Sequence, residues 1–184
     1  MNIVLDLDET LVSVTLTPVK HYDFRFSLQN QAYYVRKRPY LDLFLKYIFK
    51  KFQSVSVWTA ATKPYAIQVI NGCFTQQQRN ALAFLRTRDD LNVAENGNYT
   101  KPLQRIFKSH STIKAHNTIM IDDRRTAMSE NLGNAIIVPA WKGSDDKDKS
   151  LAQLIIVLNG ILANQDQLGF HKHKDVIYLT DITT

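Results

Sequence analysis

The stretch MNIVLDLDETLV (residues 1–12) decides how this chain is read, because an apolar run ends there in two aspartates, Asp6 and Asp8, with only Leu7 between them. Ile3, Val4 and Leu5 form the short aliphatic run expected of a central parallel strand covered on both faces. Side chains two apart on a strand share a face. A strand persisting to Asp8 therefore aims both carboxylates at one spot at its carboxyl end, the crevice where open α/β sheets bind their ligands. Like charges that close repel, and they require a cation, a proton or a reacting group to offset the repulsion.

Outward from this strand, apolar runs of strand length alternate with helical spacing, which predicts a doubly wound, mostly parallel α/β sheet. Residues 13–38 break the pattern. YDFRFSL and QAYYVRK alternate in polarity around a polar connection and predict a β-hairpin inserted after the first strand. The segment RPYLDLFLKYIFKKF places Pro39 at a helix start, with Leu41, Phe44, Leu45 and Ile48 as a core stripe. SVSVWTAA is a second core strand, KPYAIQVIN a helix closing at Gly72, and ALAFLRTR is a strand in its second half. PLQRIFKS is a short helix, and NTIMIDD is a strand that ends, like the first, in two acidic residues. NAIIVPAW is a last core strand, KGSDDKDK a solvated loop and SLAQLIIVLNGILANQ an apolar helix against the sheet; DVIYLTDITT is an edge strand or an appendage. With no linker or repeat, residues 1–184 read as one domain carrying residues 13–38 as a small β insertion.

A hydrophobic content of 45% and a charged content of 22% are ordinary for a folded domain and exclude disordered or fibrous classes. No apolar run approaches membrane-spanning length and no leader precedes the first strand, so a soluble, non-secreted protein without a membrane partner is expected. One cysteine, Cys73, excludes an internal disulfide and reads as a buried structural thiol in a reducing compartment. The net charge of +6 favours anionic partners. Arg36, Lys37 and Arg38 read equally as a solvated strand end and as a run that steers such a substrate.

The carboxyl ends of the predicted strands collect Asp6, Asp8, Thr10, Thr59, Asp122 and Asp123, with Lys101 in a loop between them. Clustered carboxylates without thiolates or imidazoles suit Mg²⁺. Thr59 and Lys101 can supply a hydrogen bond and charge to phosphoryl oxygens.

These residues resemble a known family. DLDETLV matches the haloacid dehalogenase superfamily phosphatase signature, and with VRKRPYLDLFL, VWTAA and MIDD it is similar to the RNA polymerase II C-terminal-domain (CTD) phosphatases, both the small and the TFIIF-associating type. The likeness spans residues 2–141, with the blocks in matching order. The resemblance implies the haloacid dehalogenase fold and a Mg²⁺-dependent phosphatase acting on phosphoserine or phosphothreonine in a protein, the RNA polymerase II C-terminal domain being the candidate substrate. It assigns Asp6 as nucleophile, forming an aspartyl-phosphate, and Asp8 as general acid and base whose backbone carbonyl faces the metal. Thr10, Thr59, Ala60 and Lys101 hold the phosphate, while Asp6, Asp8, Asp122 and Asp123 form the metal site. Which of Asp122 and Asp123 binds Mg²⁺ directly stays open, since small CTD phosphatases usually show asparagine second. Arg86 or Arg88 aligns loosely with an arginine near the phosphate.

The chain departs from the family in Ser13 and Val14 after TLV, where histidine and serine are common. A bare catalytic region, nuclear or cytoplasmic, is compatible with a virus-encoded or otherwise minimal version. The hairpin resembles the family's small insertion domain, and the resemblance implies a groove for a proline-containing peptide for which Phe24, Phe26, Tyr33 and Tyr34 are available, packing onto the main domain being the simpler reading of each. His110, His116, His171 and His173 lack the neighbours of a metal site. Two other functions stay in view: a nucleic-acid-end phosphatase, favoured by the basic charge, and a catalytically silent binding module, disfavoured by the retained aspartates.

Overall fold

A computed structural model describes residues 1–94, 97–164 and 177–179. Its elements are β1 (Asn2–Leu5), β2 (Val12–Thr15), β3 (Phe24–Leu28), β4 (Gln31–Lys37), α1 (Leu41–Lys51), β5 (Ser54–Trp58), α2 (Lys63–Cys73), α3 (Gln76–Asn80) and β6 (Leu82–Arg86). There follow β7 (Asn92–Val93), β8 (Tyr99–Thr100), α4 (Leu103–Ser109), β9 (Thr118–Asp122), β10 (Ala135–Ile137), α5 (Ser150–Ala163) and β11 (Ile177–Tyr178). Six strands pair in parallel in the order β11-β10-β9-β1-β5-β6, the α/β sheet expected. Of the tail, only Ile177–Leu179 is described, and Ile177–Tyr178 is an edge strand beside β10. His171 and His173 lie outside the described residues.

The strand alternation shows why the sheet is covered twice. Ile3 and Leu5 point into one core with Val55, Val57, Ile119 and Ile121, against α1, α2 and α5. Val4, Trp58 and Met120 point the other way, onto Leu103, Ile106 and Phe107 of α4. The chain passes from β1 to β5 on one side and returns with β9 on the other, which makes the boundary between β1 and β9 the topological switch point. Leu5 lies opposite Ile121, so Asp6 and Asp122 leave the sheet side by side.

The insertion is larger than a hairpin. β3 and β4 pair antiparallel as expected, around Gln29 and Asn30, both at positive φ as a type I′ turn requires. β2 adds to the other edge of β4, giving a three-stranded sheet. VSVT alternates too weakly to announce that third strand, whose partner lies far along the chain.

Several expected boundaries move. β1 ends at Leu5, and Asp8 lies beyond it in a tight turn closed by Leu11 N–H and Val12 N–H, both donating to the Leu7 carbonyl. α1 starts at Leu41, after Tyr40 at φ 67°, with Pro39 ahead of the helix; its buried stripe of Leu41, Phe44, Leu45 and Ile48 is as expected. α2 runs through Gly72 to Cys73. Gly72 is there for contact, since a Cβ at this position would lie 2.2 Å from Cε2 of Phe24, whose ring docks the insertion on α2. A further short helix, α3, follows, opened by a Thr75–Gln78 capping box.

The basic run and the acidic loop also change character. Arg38 is 1% exposed, neither solvated nor available to a substrate. Its Nε and Nη2 donate to the two oxygens of Asp148, each at 2.9 Å, from inside the segment expected to be a solvated loop. Arg38 also donates to the Thr10 carbonyl at 3.0 Å and the Pro139 carbonyl at 2.8 Å, tying the turn after β1 to the chain after β10. Cys73 is buried, as its reading as a structural thiol expects, and burial pushes its thiol up to about 12.

Candidate active site

The switch point holds a cleft of about 360 Å³ lined by Asp6, Asp8, Glu9, Thr59, Ala60, Lys101, Asp122 and Asp123, together with Leu91, Tyr99, Arg124 and Ala127. Every expected site residue except Thr10 is on its wall. Thr10 is fully buried, and its hydroxyl donates to Oδ1 of Asp123 at 3.2 Å, orienting that carboxylate. The Thr59 hydroxyl accepts from the Ala61 N–H at 3.1 Å, which holds the loop after β5 beside the cleft.

Lys101 is the centre of the arrangement. Its ammonium, 2% exposed, donates at 2.6 Å to Oδ1 of Asp6 and at 2.6 Å to Oδ2 of Asp122. Burial works against its charge, but the two carboxylates outweigh this and raise its pKa, so the ammonium is held charged. Burial pushes Asp6 well above its ordinary value, with Asp122 and Asp8 adding to the shift and Lys101 opposing it. Asp123 is pushed up to about 6, mainly by burial and then by Asp122.

One ammonium thus faces more negative charge than it can balance. Asp6, Asp122 and Asp123 each offer a carboxylate oxygen within 4.8 Å of one another, an all-oxygen group of the kind a hard divalent cation takes. Asp8 sends its carboxylate elsewhere. Its Oδ1 accepts from the Tyr65 hydroxyl at 2.5 Å, and its pKa is raised, first by burial, with that hydrogen bond and Lys101 opposing. The two aspartates of the opening stretch have therefore been separated, Asp6 toward the ammonium and Asp8 toward a phenol.

Residues that sequence reasoning missed hold these groups in place. Asn131 donates from Nδ2 to the Lys101 carbonyl at 2.5 Å and accepts at Oδ1 from Leu103 N–H at 3.0 Å, while Lys101 N–H donates to the Ala127 carbonyl at 2.9 Å. Trp141 N–H donates to the Glu9 carbonyl at 2.8 Å, and Glu9 itself takes φ 59°. Tyr65 has Phe26 and Tyr33 edge-on at 5.5 Å each, and those two rings stack at 4.9 Å. Phe24 packs on α2, Phe26 backs Tyr33, and Tyr34 meets Tyr22 at 5.3 Å. A larger cleft of about 720 Å³ adjoins the first at Asp8 and Ala60, lined by Leu28, Tyr33, Pro64, Tyr65 and Arg88 among others. Of the two candidate arginines, Arg88 lines this cleft, whereas Arg86 pairs with Asp90 at 2.8 Å.

A family profile described as NLI interacting factor-like phosphatase matches residues 1–168. The chain belongs to the NLI interacting factor-like phosphatases. A probable C-terminal domain small phosphatase of Dictyostelium discoideum is 32% identical over 169 residues, covering 89% of this chain and 51% of that protein. The human CTD small phosphatase-like protein is 29% identical over 168 residues, 89% of this chain and 57% of that one. The chain spans about half the length of the curated relatives it matches. Among solved structures, Fcp1, an essential RNA polymerase II CTD phosphatase, superposes with a TM-score of 0.71 at 18% identity, over 98% of this chain and 68% of that one, which establishes the common fold. This NLI interacting factor-like domain has no helix among its described residues long and apolar enough to cross a membrane.

Proposed function

We propose that this chain is a Mg²⁺-dependent phosphatase that hydrolyses phosphoserine or phosphothreonine in a protein through an aspartyl-phosphate on Asp6. The observation that carries the reading is the Lys101 ammonium shared at 2.6 Å by Asp6 and Asp122, beside Asp123, at the switch point of a parallel sheet. Asp6, Asp122 and Asp123 would hold the cation, with the Asp8 carbonyl adding to them as the family resemblance implies; when bound, the cation neutralises charge on the phosphoryl oxygens.

The chain's own residues supply the rest. An Asp6 carboxylate oxygen attacks phosphorus while the bond to the seryl oxygen breaks, and Asp8 gives that oxygen its proton. Asp8 then takes a proton from water as the water oxygen bonds to phosphorus and the Asp6–phosphorus bond breaks, releasing phosphate. The Tyr65 hydroxyl holds the Asp8 carboxylate apart from the Asp6–Lys101–Asp122 group, so the two carboxylates that take different tasks have different partners. Lys101 offsets charge on the transferring group, and Thr59 and Ala60 border the phosphate.

The open cleft at Tyr33, Pro64 and Tyr65 suits a polymer substrate, and relatives named as CTD phosphatases make the RNA polymerase II C-terminal domain the first phosphoprotein to try. The lone buried Cys73 is in keeping with an intracellular site, nucleus or cytoplasm. The test is hydrolysis of an aryl phosphate by the wild type and by Asp6→Asn, each with Mg²⁺ and with EDTA. Turnover confined to the wild type with Mg²⁺ is expected. Equal turnover by Asp6→Asn would refute the nucleophile assignment.

A further inference from the structure

The carboxylate cluster opens onto more than the peptide-sized cleft. Past Asp8 and Glu9 runs a cleft of about 500 Å³ walled by Ser13, Thr15 and Lys142, and these three residues also line a further cleft of about 400 Å³. Sharing walls, the two form one furrow that leads away from Asp8. At its far end the lining changes sign, since the charged or titratable residues there are Lys20, His21, Arg36 and Lys142, with no acidic residue among the lining.

Lys142 stands at the junction of the two clefts, and its backbone is pinned on both sides. Before it, Trp141 N–H donates to the Glu9 carbonyl and Trp141 Nε1 to the Asp145 carbonyl, each at 2.8 Å. After it, Gly143 takes φ +83° so close to β2 that a Cβ would lie 2.9 Å from Ser13 Oγ, and its carbonyl accepts from Arg36. Arg36 is occupied, paired with Asp146 at 2.5 Å and lying over the Trp141 ring. Lys20 and Lys142 are exposed and have no ion pair or hydrogen bond among the described residues. Two uncommitted ammonium groups therefore sit along a furrow that starts at Asp8.

We propose that this end of the furrow is a subsite for a second anionic group, a phosphoryl or carboxylate side chain, on the same peptide whose phosphoserine is bound at Asp6. The assignment rests on the phosphatase reading above. A phosphoserine side chain carries nearly two negative charges and three acceptor oxygens, which lysines bind as point charges. One cationic end, with Glu9 between it and the reacting centre, fits a peptide bearing discrete charges better than a nucleic-acid strand, which calls for a continuous basic track.

The test uses the full chain with Mg²⁺ and peptides carrying one phosphoserine, with a second phosphoserine, a glutamate or an alanine walked along both flanks. The readout is kcat/KM relative to the alanine peptide, within each protein variant. On one flank and over a narrow range of spacing, the wild type is expected to prefer the second phosphoserine by about tenfold and glutamate by less. The ratio falls toward one in the Lys20→Ala, Lys142→Ala double variant, and in the wild type as salt rises. Ratios near one at every spacing in the wild type, or a preference that survives in the double variant, would overturn the subsite. So would phosphorylated oligonucleotide ends outcompeting every peptide through the same two lysines. Aryl phosphate turnover separates the two levels: its presence with flat peptide ratios sinks the subsite alone, while its absence sinks the phosphatase reading and the subsite with it.

Discussion

Tyr65 ties the second aspartate of the motif to the insertion. Its hydroxyl donates to Asp8 at 2.5 Å, while its ring is gripped edge-on by Phe26 and Tyr33. In the mechanism proposed above Asp8 is the general acid and must point at the leaving oxygen, and this phenol holds its carboxyl in place. Tyr65→Phe keeps the ring and removes the donor. Its cost should depend on the leaving group: about tenfold in kcat/KM on a phosphoseryl peptide, whose alkoxide needs a proton, and little on an aryl phosphate with an acidic phenol. Equal losses on both substrates would mean that the hydroxyl acts through packing alone. Lys101 is held by Asn131 in a comparable way, from thirty residues further along the chain.

At the scale of elements, the insertion is bound to α2 through the rings of Phe26 and Tyr33 on Tyr65 and through a contact between an aromatic ring and a missing side chain. Gly72 lies under Phe24, and a methyl group there would overlap the ring. Gly72→Ala gains up to about 1 kcal/mol in helix propensity but incurs about 1–3 kcal/mol of overpacking, unless the hairpin lifts. The expected net loss is about 1 kcal/mol, read as a melting temperature lower by about 2–4 °C. Peptide turnover should fall more than aryl phosphate turnover, because Leu28 and Tyr33 line the larger cleft from the hairpin side. A rise in melting temperature would show that the ring yields freely. The same contact explains why the helix continues past the glycine at which its sequence suggested a stop.

For the whole molecule, the Arg38–Asp148 pair clamps the turn after β1, the chain after β10 and the start of α5. Burial alone would raise the Asp148 carboxyl, but the hydrogen bonds and charge of Arg38, with Ser150, outweigh it and hold its pKa below the ordinary value. A carboxylate depressed in the folded state contributes stability that is fully present above its unfolded pKa of about 3.9 and is lost as pH falls through the lower folded value. Asp148→Asn should therefore melt below the wild type by a constant margin from neutral pH down to about pH 5, and the margin should shrink below about pH 4. A margin unchanged into the acid range would exclude the ion pair as its origin. Local pattern was enough to determine the alternation of strands and helices, the gathering of Asp6, Thr59, Asp122 and Asp123 at strand ends with Lys101 in a nearby loop, and the presence of an inserted hairpin, though it sent Asp8 to the same spot as Asp6. Those features follow from side-chain periodicity and from short motifs that act where they stand. Tertiary structure alone decided that Arg38 is buried with Asp148, 110 residues away, that Tyr65 takes Asp8 from across 57 residues, and that Thr10 serves Asp123. A polar side chain's partner is chosen by which loops the fold brings within about 3 Å, and no periodicity along the chain carries that distance.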